Sequence, residues 1–435
     1  VFIMEDGAIR SCSAIGNDGE EAMGGSIRFS GDMTVSGGTI SAPGSTGKQH
    51  IFGRGAFTIS GNAQIDASMI LDGDLYADGG TVSGVVTSKG AITGSEGAAG
   101  TTTFTKAVEN EGTIRGGVFE GEVTNKEDGT IKDGTFKKKV ENEGTIEGGT
   151  FEGTVRSRTR YGAQKAAVIR GGTFNGPVES YSGIENGVFA GTVESEGTIS
   201  GGTFKDAVMN KVGSTIRNGR FTTAVGNEGT ITGGIFEGTV ENRGTITGGA
   251  FHGVVTCEGR VDNGSHGSLV GGTVSGGSFD QTIQVIYGTI IGEAYSDWEK
   301  TRRYNWQKQY VLTYQADGEA YVWQVLGEDF FPVMPQGPDK EGYTFLTWVY
   351  DDGVDKGEMI DEGVGIRTDR TAVARYAAGS GTEQDPCRIG SREELELFRM
   401  QVNRYGRTDL CAVLTSDIVM NSGTFNADGR YTPAG

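Results

Sequence analysis

One motif recurs along the middle of the chain. Glu109–Val123 reads ENEGTIRGGVFEGEV, Glu141–Val155 reads ENEGTIEGGTFEGTV, and Glu241–Val255 reads ENRGTITGGAFHGVV. Three apolar columns run through these segments. The first is Ile114, Ile131, Ile146, Ile169, Ile184, Ile199, Ile216, Ile231 and Ile246. The second runs from Phe104 to Phe251, and the third from Val108 to Val255. The period is usually 15 residues, sometimes 17 and once 23. The extra residues, Lys126–Asp128, the Ser157–Ala167 stretch and Lys211–Val212, always fall between the Val and the next Ile. A repeat array that accepts insertions at one corner only is a solenoid with loops along one edge.

The apolar residues stand singly among Gly, Thr and polar residues. Their spacings, five from Ile to Phe and four from Phe to Val, sustain no helical stripe, and a Gly-Gly pair in most repeats costs a helix about 1 kcal/mol per Gly. Thr, Ile, Phe and Val favour strands, and Gly favours corners. Each repeat is therefore expected to be one coil of a single-stranded parallel β-helix with three very short strands, in an all-β chain. One coil cannot bury its Ile, Phe and Val alone; stacked coils bury all three, at roughly 1.5–3 kcal/mol each. A fourth column (Asn110, Asn125, Asn142, Ser157, Ser180, Ser195, Asn210, Asn227, Asn242, Cys257) follows each Val by two. It reads as a polar ladder at one corner, with a glycan-contacting row as the functional alternative. Residues 1–107 use the same vocabulary less regularly and are assigned to irregular coils, 108–255 to the regular array, and 256–292 to the end of the β-helix.

The composition changes near Tyr295, where Gly-Gly-Thr disappears and all four Trp occur. After a linker at 293–309, alternating apolar segments in 310–377 predict a small β-rich module. Its VLTYQADGE, PVMPQGPDKEGYTFLTWVYDDG and TAVARYA segments resemble the Listeria–Bacteroides repeat, the internalin B-type module of bacterial surface proteins. The chain departs from that family at Thr347, where Gly is usual, and at Tyr376-Ala377, where Trp is usual. The resemblance implies a β-grasp-like fold and a place on the bacterial cell surface. In 378–435, Ser391 and Glu394 form a capping box that opens a helix with the stripe Leu395, Phe398 and Val402, and Ala412–Asn421 reads as a strand. This segment is similar to the opening cap of a further β-helix in large surface proteins of gut Firmicutes and Bacteroidetes. The repeat region itself resembles the right-handed β-helices of bacterial adhesin-like proteins.

The 435 residues include 76 Gly but only 7 Pro, so the Gly punctuates a fold rather than marking disorder. The net charge of −19 argues against nucleic acid and against a polybasic hold on lipid. No apolar run reaches the ~18 residues of a membrane-spanning helix. Cys12, Cys257, Cys387 and Cys411 form no CxxC pair, and a Cys387–Cys411 bridge is conceivable. Starting at Val1 in mid-pattern, the chain reads as a piece of a longer precursor.

Candidate sites are few. Asp66, Asp72, Asp74 and Asp78 are the densest acidic group, and alternating Asp72 and Asp74 give a candidate Ca²⁺ site, or the acid/base pair of a polysaccharide-degrading lyase or hydrolase; they also fit a solvated edge. His50, His252 and His266 are scattered, and His252 reads as a surface substitution. The 23-residue repeat carries Arg156, Arg158, Arg160, Tyr161 and Lys165, a basic and aromatic group on an acidic protein suited to an anionic glycan or a host surface protein, or simply a solvated loop. A stacked Thr row through Thr113, Thr130 and Thr145 raises ice binding, but only 230–232 and 245–247 read Thr-Ile-Thr. Coils this alike suit extension and multivalent weak binding better than one active site. The reading that emerges is a non-catalytic extracellular stalk or adhesin without a cofactor.

Overall fold

The structure is a computed structural model, which describes residues 1–10, 27–41, 50–94, 101–261, 269–280, 284–285, 288–291, 309–327, 331–332, 334–353, 355–361, 363–403, 406–420, 424–425, 427 and 431–432. The described residues are almost all-β, with 49% strand against 4% helix, and the chain divides into two compact units. The first comprises Val1–Thr256 with Gly276–Ile283, and the second Cys257–Ser275 with Gln284–Gly435.

The first unit is a parallel β-helix. The regular coils have the three expected strands, for example Val140–Asn142, Thr145–Ile146 and Thr150–Phe151, except that the second and third run on as one in Thr113–Phe119 and Thr130–Phe136. Equivalent residues pair coil to coil: Val140 with Val155 and then Val178, Ile131 with Ile146 and then Ile169, Phe136 with Phe151 and then Phe174. Ile146, Phe151 and Val155 are fully buried. The same ladders continue into the irregular coils. Met33, Phe57, Leu75 and Ile92 lead in register to Ile114, and Ile40, Ile65 and Val82 lead to Phe104. Ile51, Met69 and Val86 lead to Val108. Side-chain shape varies there, which hides the columns from a motif search, while the inward direction of each position does not.

Phe rings from Phe104 to Phe279 lie face to face at centroid spacings of 4.6–4.8 Å and interplanar angles of 5–9°. The spacing is that of neighbouring strands, about 4.8 Å; the backbone rise therefore sets the ring stack. Two different constraints require the Gly-Gly corner. At Gly148 the next coil passes so close that a Cβ would lie 2.2 Å from the Lys132 carbonyl oxygen, while Gly149 adopts φ +102°, a left-handed value open to glycine.

The Asn column points inward and is hydrogen-bonded along the axis. Asn110 Nδ2 donates to Asn125 Oδ1 at 2.7 Å, Asn125 to Asn142 Oδ1 at 2.8 Å, and Asn142 to Ser157 Oγ at 3.0 Å. Each amide also donates to a corner carbonyl, as Asn110 does to Gly112 and Asn142 to Gly144. These side chains are fully buried, so the column is structural and the glycan-contacting alternative for it falls. The ladder has one loose end: Asn110 Oδ1 is buried with no hydrogen-bond partner among the described residues, because Ser88, its neighbour in register, donates to the Gly90 carbonyl instead. Ser88→Asn should extend the ladder by one rung and stabilise the protein by about 1 kcal/mol. A lower midpoint of urea unfolding in that variant would show that the site has no room for the amide.

In the second unit, Gln309–Ala316 and Glu319–Gly327 form a hairpin, and Tyr343–Tyr350 pairs antiparallel with Arg370–Ala378. The first and last of these strands lie side by side and parallel. Gly288–Ile291, read from the sequence as the end of the β-helix, pairs antiparallel with the hairpin's second strand, and 293–308 of the expected linker lie outside the described residues. One face of the sheet buries Leu312, Tyr314, Val322, Trp348 and Tyr350. The indole Nε1 donates to the Pro335 carbonyl at 2.8 Å. Arg370 lies 4.0 Å from the centre of the Tyr350 ring and reaches Asp352 at 2.6 Å and Asp355 at 2.9 Å.

The other face of the sheet carries the helix Arg392–Asn403. The capping box forms as expected, with Glu394 N donating to Ser391 Oγ at 3.1 Å and Ser391 N to Glu394 Oε2 at 3.2 Å. The buried centre of the helix is Leu397 and Gln401, with Leu395 and Phe398 only partly buried beside it. The expected stripe is thus displaced, because Gln401 turns inward to donate to the Leu346 carbonyl. Leu346, Val349, Ala377, Cys387, Ile389 and Leu397 form one cluster across position 377. A segment ending at 377 therefore loses Cys387, Ile389 and Leu397 from this cluster. We expect a fragment ending there to aggregate or unfold without a cooperative transition, and one carried through Leu414 to unfold cooperatively; equal behaviour of the two would contradict the shared core. Cys387 and Cys411 are free thiols, joined only through the backbone by Cys387 N donating to the Cys411 carbonyl.

Candidate functional site

All the insertions in the regular array leave the β-helix at the corner that follows the Asn column. The residue after each ladder position donates its N–H to the ladder carbonyl of the preceding coil: Lys126 to Asn110, Glu143 to Asn125, Arg158 to Asn142, Tyr181 to Ser157, and Lys211 to Ser195. Equivalent backbone bonds place these side chains in one outward row. From Glu111 the row reads Glu, Lys, Glu, Arg, Tyr, Glu, Lys, Glu, Arg through Arg243. Sign alternation between neighbours a strand spacing apart avoids like-charge contact.

The 23-residue coil adds its loop at this corner. The loop reaches back across one coil to the shorter insertion before it. Glu127 Oε1 accepts the backbone N–H groups of Gln164 and Lys165, the second at 2.9 Å, and Lys165 Nζ lies 2.6 Å from Asp128 Oδ1. Inside the loop, Ala163 N donates to the Arg160 carbonyl and Ala167 N to Thr159 Oγ1, both near 3 Å. Asp128 holds the Lys165 ammonium above its ordinary pKa through hydrogen bond and charge.

The five residues expected to act together divide into two sets. Lys165 is engaged in the clasp, and Arg156 is engaged on the strand below. There Arg156 pairs in register with Glu141 on one side and Glu179 on the other. Its Nη2 donates to the Tyr181 hydroxyl at 3.2 Å, its guanidinium lies 5.2 Å from the Tyr181 ring centre, and Nε is 3.4 Å from Glu179. The Tyr181 hydrogen bond, then Glu179 and Glu141, raise its pKa above the usual guanidinium value. Arg158, Arg160 and Tyr161 are exposed, Tyr161 completely so at 103%. Neither arginine makes an ion pair among the described residues. Beside Arg160 lies a concavity of about 470 Å³, lined also by Lys89, Lys126 and the carboxylates of Glu109, Glu111, Glu127, Asp128 and Glu143. Tyr181 is the member of this corner that the sequence reading missed; its place in the outward row after Ser180 was the available signal.

Asp72 and Asp74 do not share a strand face. They sit in the bend between strands Ser68–Leu71 and Leu75–Val82, where Asp72 pairs with Lys89 at 3.2 Å and Asp74 Oδ1 accepts the Ala91 N–H at 2.8 Å. Their expected alternation fails because the strand ends at Leu71, and both carboxylates serve coil-to-coil contacts. Among the described residues no group of three or more His, Cys, Asp or Glu is placed to hold a metal. His252 is exposed and its Nδ1 lies 2.5 Å from Asp280 Oδ2 one coil on; His266 and Cys12 lie outside the described residues. The Thr row is interrupted by Val168 and Gly183, which take the register positions after Thr145. In two pairs of coils the position after the Ile carries a cross-coil ion pair instead, Lys132 with Glu147 at 3.3 Å and Arg170 with Glu185 at 3.1 Å. Among the described residues no helix is long and apolar enough to cross a membrane.

Compared with protein-family models, curated proteins and solved structures, the chain matches none.

Proposed function

We propose that this chain is a non-catalytic stalk of an extracellular bacterial surface protein, spacing other domains and offering a repeated face for weak, multivalent contact with a host surface protein or glycan. One observation carries the reading: three parallel ladders run without interruption through the regular coils, so each coil is fixed to the next by backbone hydrogen bonds and by stacked Ile, Phe and Val. Such a solenoid has few soft dihedrals, and its nearest-neighbour contacts keep it extended. Some of the outward charges are spent on adjacent coils, as in Lys137 with Glu120 at 3.1 Å and Arg220 with Glu237 at 2.6 Å. Exposed pairs of this kind add only ~0–1 kcal/mol each, so they keep the surface matched rather than hold the fold. The likeness of the 310–377 segment to a module of bacterial surface proteins supports the same setting.

The test is incubation of the whole chain with a panel of acidic and neutral polysaccharides, read as new reducing ends or unsaturated products. We expect no turnover. Product release that Asp72→Asn or Asp74→Asn abolishes would replace the stalk with a polysaccharide-degrading enzyme.

A further inference from the structure

We propose that the corner formed by Arg158, Arg160, Tyr161 and Tyr181 binds an acidic polysaccharide, one whose sugar rings carry carboxylate or sulfate. The proposal deepens the stalk reading by naming a ligand and a place, and rests on it only for the biological setting. Charge at the corner comes first. The other described cations of the outward row have carboxylates at hand: Lys126 lies 3.8 Å from Glu109, Lys211 3.5 Å from Glu194, and Arg243 3.5 Å from Glu241. Arg158 occupies the same row with no ion pair among the described residues, and Arg160 follows two residues later in the same state. A guanidinium donates in a planar fork that fits a carboxylate or sulfate bidentately.

The second observation is the ring. Tyr161 is fully exposed at the tip of a loop whose flank is tied down by Glu127 and Asp128. Its ring gains nothing from folding, yet the loop that carries it is ordered by five hydrogen bonds to main-chain or side-chain groups. A preordered loop lowers the entropy lost on binding, and Tyr and Arg are among the residues enriched at binding hot spots. Tyr181 is 40% exposed one coil on, beside Arg158 in the row, and offers the part of its ring that Arg156 does not cover.

A polysaccharide fits better than an acidic peptide. The N–H groups of Gln164 and Lys165 are already taken by Glu127, which leaves side-chain charge and ring faces for recognition, and no strand edge for a peptide backbone. Arg160 also lines the concavity that holds the carboxylates of Glu109, Glu111, Glu127, Asp128 and Glu143, which repel a polyanion, so the ligand is held chiefly by Arg158 and Tyr161 with Arg160 at its acidic margin.

The experiment is titration of the whole chain with polygalacturonate, heparin, neutral dextran and poly-glutamate at low and high salt. We expect the two anionic polysaccharides to bind, dextran not to bind, and affinity to fall with salt. The triple variant Arg158→Ala, Arg160→Ala, Tyr161→Ala should bind at least about tenfold more weakly with an unchanged unfolding midpoint, since all three side chains are solvent-facing. Glu143→Gln should strengthen binding. No binding by either anionic polysaccharide, an unaltered affinity in the triple variant, or equal binding of poly-glutamate would each overturn the assignment. Turnover of the polysaccharide would end the stalk reading and leave the ligand site to stand or fall on the triple variant.

Discussion

Phe189→Ala should lower the stability of the β-helix by about 3–5 kcal/mol, the range for removing a buried aromatic ring from a core that cannot collapse around the gap. Phe189 stacks at 4.7 Å on both Phe174 and Phe204 with interplanar angles of 6°, and it is fully buried. Deleting it removes two ring contacts, each adding roughly 0.5–1.5 kcal/mol beyond the buried area. The coils above and below cannot close the gap, because backbone hydrogen bonds fix their separation. Phe189→Leu fills most of the space and should cost less than half as much. In a solenoid the loss is felt at two interfaces, so a mid-array ring matters more than one at the edge. The measurement is urea unfolding compared at constant slope. A loss below about 1 kcal/mol for Phe189→Ala would mean that the ring column is a by-product of the ladders and not a support for them.

Asn227→Asp should be comparably damaging at neutral pH and nearly harmless in acid. The Asn227 amide accepts from Asn210 at 2.7 Å and donates to Asn242 Oδ1 at 2.7 Å and to the Gly229 carbonyl at 3.3 Å. Aspartate keeps the acceptor and loses the donor, so an oxygen faces Asn242 Oδ1 and the carbonyls of Gly229 and Thr245. An uncompensated buried charge of this kind costs on the order of 3–5 kcal/mol. Desolvation and the facing acceptors favour the protonated acid, which places the folded-state pKa above the unfolded value of about 3.9. The sign follows from proton linkage. The folded state binds the proton more tightly, so the penalty is complete above the folded pKa and fades as pH falls through it toward about 4. Unfolding midpoints of the variant and the parent should therefore converge between neutral pH and about pH 4. A pH-independent gap would show that the site is hydrated and not dry.

The repeat by itself determined a great deal. Isolated Ile, Phe and Val at a 15-residue period can be buried together only in stacked coils, and Gly-Gly at a fixed place can only be a corner. The insertions identified the looped edge for the same reason, since extra residues cannot be accommodated inside a ladder. Ser391 and Glu394 announced the helix start because a capping box is local chemistry.

What the tertiary structure decided involves partners that no period relates. Nothing in the Asn column alone distinguishes an outward row from a buried one; the distinction comes from amides meeting across coils 15 or 17 residues apart. Likewise the basic loop looked like one patch. Stacking brings Glu127 and Asp128 against it from 37 residues away, spends Lys165, and sets Glu179 and Tyr181 on Arg156, leaving Arg158, Arg160 and Tyr161. Asp72 and Asp74 lost their shared face because a strand ended one residue before the first of them. The helix Arg392–Asn403 chose Leu397 and Gln401 for its buried face because the Leu346 carbonyl needed a donor there, a demand set by a strand some fifty residues earlier. Inward direction and coil period are written in spacing along the chain; which charges are spent, and on what, is fixed only when one coil is laid on the next.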